Sequence, residues 1–236
     1  MSRKRATARR SALRRRLGAM VVLVLLAAAG WAWWQARAWA PPRDAFPVQG
    51  VLVDAGDGPV DFTALAAIGA SFAYLAASEG GEGRDEAFAR NLARAGASGV
   101  RTGAVHDFDP CVPAEIQAAN FLTVVPRDVD MLPPVVALAR TAEGCADKLS
   151  EARLESELTT FLNQIEGHAG WPAILAIAPR FEQRYQVASR FERELWLKRT
   201  WRQPDYAGRP WSLWTANSAR RTEAGPGPLR WVVAQP

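Results

Sequence analysis

Two hydrophobic patterns divide the chain. From Leu17 to Trp34 (LGAMVVLVLLAAAGWAWW) it runs for 18 residues without a charge, about the minimum for crossing the hydrocarbon core of a bilayer as a helix. Beyond residue 48, short apolar runs alternate with helical periodicity. Gly50–Val53, Phe72–Ala77, Val100–Val105, Val135–Leu138 and Ala173–Ala178 read as buried strands. Between them, Asp61 is placed to cap a helix carrying Phe62, Leu65 and Ile68, and Asp85 opens one carrying Phe88 and Leu92 that closes at Gly96. A further helix runs from Pro113 through Leu122. The clearest is Ser150–Glu166, whose Leu154, Leu158, Phe161, Leu162 and Ile165 share one face, with Gly167 placed to stop it. Leu195–Lys198, Trp211–Ala216 and Leu229–Ala234 follow with little helix between them. Five β-α alternations predict an α/β fold with a parallel, barrel-like sheet, and the strand-rich tail predicts an antiparallel closure.

Charge sharpens this division. The chain of 236 residues carries +5 overall, yet residues 1–16 hold eight Lys or Arg and no acid. From Ala40 onward 20 basic residues face 24 acidic ones, a net −4, so the basic total gives no reason to expect nucleic acid as a partner. Basic residues before an apolar span predict a cytoplasmic N-terminus, with Trp31, Trp33, Trp34 and Trp39 at the far interface. The expected organisation is a basic cytoplasmic tail (1–16), a transmembrane signal-anchor (17–39), a linker (40–47) and one domain (48–236). That makes a single-pass inner-membrane protein with its domain in the periplasm. A cleaved signal peptide, cut near Ala27-Ala28-Ala29, is the alternative, but the long basic region and the tryptophans favour a retained anchor. Cys111 and Cys145 suit an oxidising compartment and have no metal-type spacing. With only His106 and His168 as imidazoles, neither metal nor cofactor is expected.

Several motifs occur in a telling order. The run Gly50-Val51-Leu52-Val53-Asp54-Ala55-Gly56-Asp57-Gly58-Pro59-Val60-Asp61-Phe62 comes first, then Ser71-Phe72-Ala73-Tyr74-Leu75-Ala76-Ala77-Ser78-Glu79-Gly80. Gly103-Ala104-Val105-His106, Ala114-Glu115-Ile116-Gln117-Ala118 and Leu132-Pro133-Pro134-Val135-Val136-Ala137-Leu138-Ala139 follow, and Leu195-Trp196-Leu197 and Trp211-x-x-Trp214 close the series. Together they resemble glycoside hydrolase family 25, the lysozymes or N-acetylmuramidases that cleave the muramic-acid side of peptidoglycan glycan. The resemblance implies an irregular (β/α) barrel of about five β-α units with a small C-terminal antiparallel sheet. It also implies acids at the C-terminal mouth, where glycosidases set two carboxylates around the scissile bond.

The chain departs from the family pattern where that chemistry belongs. The family's first-strand Asp corresponds to Leu52, and its Asp-x-Glu pair to Ala137 and Ala139. Its second-strand Lys corresponds to Ala76, the Tyr before His106 to Val105, and its fifth-strand Tyr to Ala176. The late Asp motif meets only Leu229-Arg230-Trp231-Val232-Val233. Scaffold motifs remain while mouth positions are small or apolar, so the resemblance implies a pseudoenzyme that binds peptidoglycan glycan or a cell-envelope protein. An active muramidase with relocated carboxylates is the competing reading, and a ligand-free envelope scaffold is the third.

Asp54, Glu79 and Asp107, with Asp57 and Asp109, remain near strand ends as candidates for a relocated acid pair. Strand-end loops commonly carry Asp as a turn residue, and that reading is preferred. His106 and Trp214 are candidate glycan contacts, with core packing as the alternative for each. Cys111 follows the third strand and Cys145 the fourth, so adjacent barrel strands would bring them within bonding reach as a disulfide.

Overall fold

The computed structural model describes residues 2–127 and 130–236, in two compact units, Met1–Trp39 and Ala40–Pro236. The side chains of residues 1–15, which carry most of the expected basic tail, lie outside the described part. The first unit is one helix, α1 (Ser2–Ala38). Its segment Arg16–Ala38 is 23 residues long with a mean hydropathy of 2.0, and none of its most apolar window is buried. At 1.5 Å per residue such a segment extends about 35 Å, long enough to cross a bilayer.

Among its described residues the second unit has nine strands: β1 (Gln49–Val53), β2 (Phe72–Glu79), β3 (Gly83–Arg84), β4 (Arg101–Asp107), β5 (Val135–Leu138), β6 (Ile174–Ile177), β7 (Leu195–Lys198), β8 (Leu213–Arg220) and β9 (Leu229–Ala234). The helices are α2 (Phe62–Ala67), α3 (Phe88–Ala97), α4 (Ala114–Val124), α5 (Glu151–Ala169), α6 (Pro179–Tyr185) and α7 (Val187–Arg190). Strands β1, β2, β4, β5, β6, β7, β8 and β9 pair in that order, and β9 returns to β1 to close a barrel. The short β3 forms a hairpin on β2.

The five expected strands are the first five parallel staves. Parallel pairing goes further than the pattern indicated, because β7 pairs with β6 and β8 with β7 in the same sense. Only β9 runs against its neighbours in the barrel wall. The antiparallel part is therefore one stave of the barrel rather than a separate sheet. Residues 199–212 form no helix, but they are enough chain to carry β7 back to the start of β8.

Local chemistry explains most element ends. The Asp61 carboxylate accepts from the N–H groups of Thr63 (2.9 Å) and Ala64 (3.0 Å), capping α2. Ser150 Oγ accepts from Arg153 N–H at the start of α5. Helix α5 passes through Gly167 and stops instead at Gly170, whose left-handed φ of 74° turns the chain while its N–H bonds the Glu166 carbonyl. The expected linker is part of the second unit. Phe46 is buried against Trp211 and Trp214, and Gln49 Nε2 donates to the carbonyls of Pro41 and Phe46.

Strand alternation separates two layers. Phe72, Tyr74, Val105, Val135, Ile174, Trp196, Leu213 and Val232 fill the barrel interior. The opposite faces meet the helices, among which α5 buries Leu154, Leu158, Phe161, Leu162 and Ile165. Inside the barrel the Tyr74 ring lies so close over Gly103 that a Cβ there would come within 2.2 Å of a ring carbon. Glycine is required at that position by space alone.

Candidate active site at the barrel mouth

Strand register gathers the expected mouth positions at one end. Glu79 lies beside Asp107, Asp107 beside Ala137, Ala137 beside Ala176 and Ala176 beside Trp196. Across the closure, Leu52 lies beside Arg230. Leu52, Ala137 and Ala176 pack onto the apolar cluster of the barrel interior while staying partly exposed. They form an apolar floor open to solvent. Ala139 is exposed just beyond β5. At the same mouth, reached from this floor through Asp107, is a cleft of about 400 Å³ lined among others by Asp54, Ala76, Glu79, Arg84, Asp85 and Asp107.

Most of the surviving acids have structural partners. Asp54 accepts from Gly56 N–H, and Asp57 in turn accepts from Asp54 N–H (2.8 Å each), a reciprocal cap on the turn after β1. Arg230 lies 2.8 Å from both carboxylates. Asp85 receives the N–H groups of Ala55 and Ala87. On the other side of the mouth, Arg140 pairs with Glu79 at 2.5 Å and also with Asp109. These two arginines were not among the site residues expected from sequence. Arg140 directly follows Ala139, and Arg230 occupies the motif where the family's late Asp was sought, so position was the available signal.

Asp107 differs from its neighbours. Its carboxylate makes no ion pair among the described residues. Burial pushes its pKa up, the Glu79 charge adds to this, and Arg140 and Arg230 oppose it. Asp57 is also raised, chiefly by burial, with the Asp54 N–H and Arg230 acting against the shift.

His106 lies on the other face of β4, away from the cleft. It packs on Phe161 (ring centroids 4.6 Å) and edge-on to Phe121. Gln117 Oε1 can only accept, so His106 Nε2 carries the proton and donates to it (3.2 Å), leaving Nδ1 to accept from the Ser78 hydroxyl (2.8 Å). Burial lowers the His106 pKa to about 4. A shift of register between Ala76 and Ser78 sets Ser78 beside His106 and turns Glu79 toward the mouth. Trp214 is likewise buried outside the barrel interior, edge-on to Phe46, with its indole N–H donating to the Arg199 carbonyl (2.7 Å).

The loops after β4 and β5 are joined by a Cys111–Cys145 disulfide, with Cα atoms 5.1 Å apart. No set of three or more potential metal ligands converges among the described residues.

The sequence profile of glycosyl hydrolases family 25 matches residues 53–222. The uncharacterised protein YegX of Escherichia coli K12 is 27% identical over 163 residues, covering 69% of this chain and 58% of YegX. The chain thus spans somewhat under two thirds of that relative. Among solved structures, a family 25 glycosyl hydrolase from Bacillus anthracis superposes with a TM-score of 0.73 at 22% identity, covering 85% of this chain and 93% of that one. A bacterial lysozyme from Streptomyces coelicolor superposes with a TM-score of 0.71 at 20% identity, covering 80% and 92%. The barrel is the fold of those enzymes, and the profile covers most of the chain, which therefore belongs to glycosyl hydrolase family 25.

Proposed function

We propose that this chain is a membrane-anchored family 25 domain that binds peptidoglycan glycan without cleaving it, with its N-terminus in the cytoplasm and its barrel in the periplasm. The observation that carries this reading is the apolar floor of the mouth. Leu52 and Ala137 stand at the positions equivalent to family acids and pack as part of the barrel core. Neither they nor Ala139 offers a proton or a nucleophile. Asp54 and Glu79 are held by arginines. An open cleft with hydrogen-bonding groups on its rim retains the means to hold a glycan. The topology rests on the basic residues that precede the apolar span.

The full-length chain in detergent, mixed with purified insoluble peptidoglycan, tests the proposal. Co-sedimentation without release of reducing ends between pH 4 and 8 is the expected result. Absence of both binding and hydrolysis would favour an envelope scaffold instead.

One observation favours a second reading, an active muramidase with relocated acids. Asp107 lines one cleft with Asp54 and Glu79 and has a raised pKa, the condition of a general acid. Hydrolysis abolished by Asp107→Asn would establish that reading and overturn the first.

A further inference from the structure

We propose that the base of the barrel, at the end opposite the mouth, is a second binding site, which takes a small zwitterion with an apolar side chain, an α-amino acid in chemical class. Phe72, Arg101, Ile174 and Leu213 open their strands, Glu194 directly precedes β7, and together with Tyr74 they line a hollow of about 420 Å³. That volume lies within the usual range for small-molecule pockets. The barrel core, closed by Phe72, Ile174 and Leu213, gives way here to apolar residues that stay open to solvent, Val48, Leu132 and Ala234.

Two features make the hollow selective. Tyr74 is only 2% exposed, and its hydroxyl has no hydrogen-bond partner among the described residues. That hydroxyl is not sealed from solvent, so a polar group entering the hollow can bond it. At the rim stand Arg101 and Glu194, opposite charges that form no salt bridge with each other or with any other described residue. Both act on the phenol: burial raises its pKa first, the Glu194 charge adds to the rise, and Arg101 opposes it. An α-amino acid matches this arrangement. Its carboxylate meets the Arg101 guanidinium, its ammonium meets Glu194, and its side chain covers Val48, Leu132 and Ala234. A purely apolar ligand would leave both charges unmatched, and a purely ionic one would leave the apolar wall wet.

Isothermal titration of the full-length chain in detergent with L-leucine and D-leucine provides the test. Two truncated probes accompany them, 4-methylpentanoate without the ammonium and isopentylamine without the carboxylate. At least one hand of leucine should bind in the millimolar range or tighter, with each truncated probe weaker by about tenfold or more, since each lost charged contact is worth roughly 1.5–3 kcal/mol. Arg101→Ala and Glu194→Gln alter exposed side chains, so the fold should be kept while leucine binding falls by about tenfold each. Tyr74→Phe should weaken it several-fold. None of the three should change co-sedimentation with peptidoglycan. The absence of any leucine heat up to about 20 mM, equal binding of 4-methylpentanoate, or binding that survives both charge substitutions would overturn the proposal.

Discussion

The two faces of strand β4 show opposite economies of polar groups. Outward, His106 has both ring nitrogens matched, by Ser78 and Gln117, and its faces covered by Phe121 and Phe161. Inward and one residue on, Asp107 lines the mouth cleft beside Ala137 of the apolar floor, with its carboxylate unpaired among the described residues. The outward residue is fixed by its neighbours, because any replacement leaves buried donors or acceptors unmatched. The inward positions carry no such demand. Side chains there can become alanine while the barrel stays closed, which is how a fold can outlast a chemistry built on it.

Breaking the frame of the mouth should have the largest effect. Reducing the Cys111–Cys145 bond, which spans 34 residues, should lower unfolding stability by roughly 3–4 kcal/mol in denaturant melts, by the loop-entropy argument. Thiol titration of the oxidised, denatured chain should find no free thiol, and two reactive thiols would show that the bridge does not form.

Within the barrel, Gly103→Ala should cost about 3 kcal/mol, since the new Cβ meets the buried Tyr74 ring and has nowhere to go. A thermal midpoint unchanged from the parent would mean that the ring moves freely and the interior is looser than described.

The outward face of β4 comes next. His106→Leu should cost about 2 kcal/mol at neutral pH by stranding the Ser78 hydroxyl and the Gln117 carbonyl. It should also flatten part of the acid dependence. The native ring stays neutral down to about pH 4, whereas the unfolded ring takes a proton near 6.5. Stability should therefore fall as pH drops from about 6.5 to about 4, and this component should vanish in the variant. The raised carboxyls of Asp57 and Asp107 act in the opposite sense, their contribution being lost as pH rises above their ordinary range. Only the difference between parent and variant isolates the histidine, and parallel pH profiles would refute its assigned role.

The smallest effect is expected at the mouth itself. Ala139→Glu adds an exposed acid just beyond β5, yet under the proposed function peptidoglycan hydrolysis should remain at background. Leu52, Ala76 and Ala137 give that acid neither a partner nor an oriented water. A gain of reducing ends would show that the mouth is one residue from activity and erase the contrast between the two faces.

The strands were legible in the sequence because burial on both faces leaves runs such as Val135–Leu138 without polar interruption. The course of the C-terminal third was harder to read. Whether β7 and β8 run parallel depends on how residues 199–212 travel, and no local propensity encodes that path. The end of α5 was likewise a choice between two glycines. Only Gly170 sits where the chain adopts the left-handed turn. Asp54, Glu79 and Asp107 were visible as acids at strand ends, but the pairing of Glu79 with Arg140 and of Asp54 with Arg230 joins segments far apart in the chain.

By itself, the sequence determined that an apolar helix precedes a barrel-forming chain and that Leu52, Ala137 and Ala139 carry no ionisable group, because periodicity and residue identity are local properties. Tertiary structure alone decided which face each survivor occupies. Closing β9 onto β1 brings Arg230 to Asp54, and the register shift in β2 turns Ser78 to His106 and Glu79 to the mouth. Those outcomes depend on strand register and barrel closure, which place residues by their partners across the sheet rather than by their neighbours along the chain.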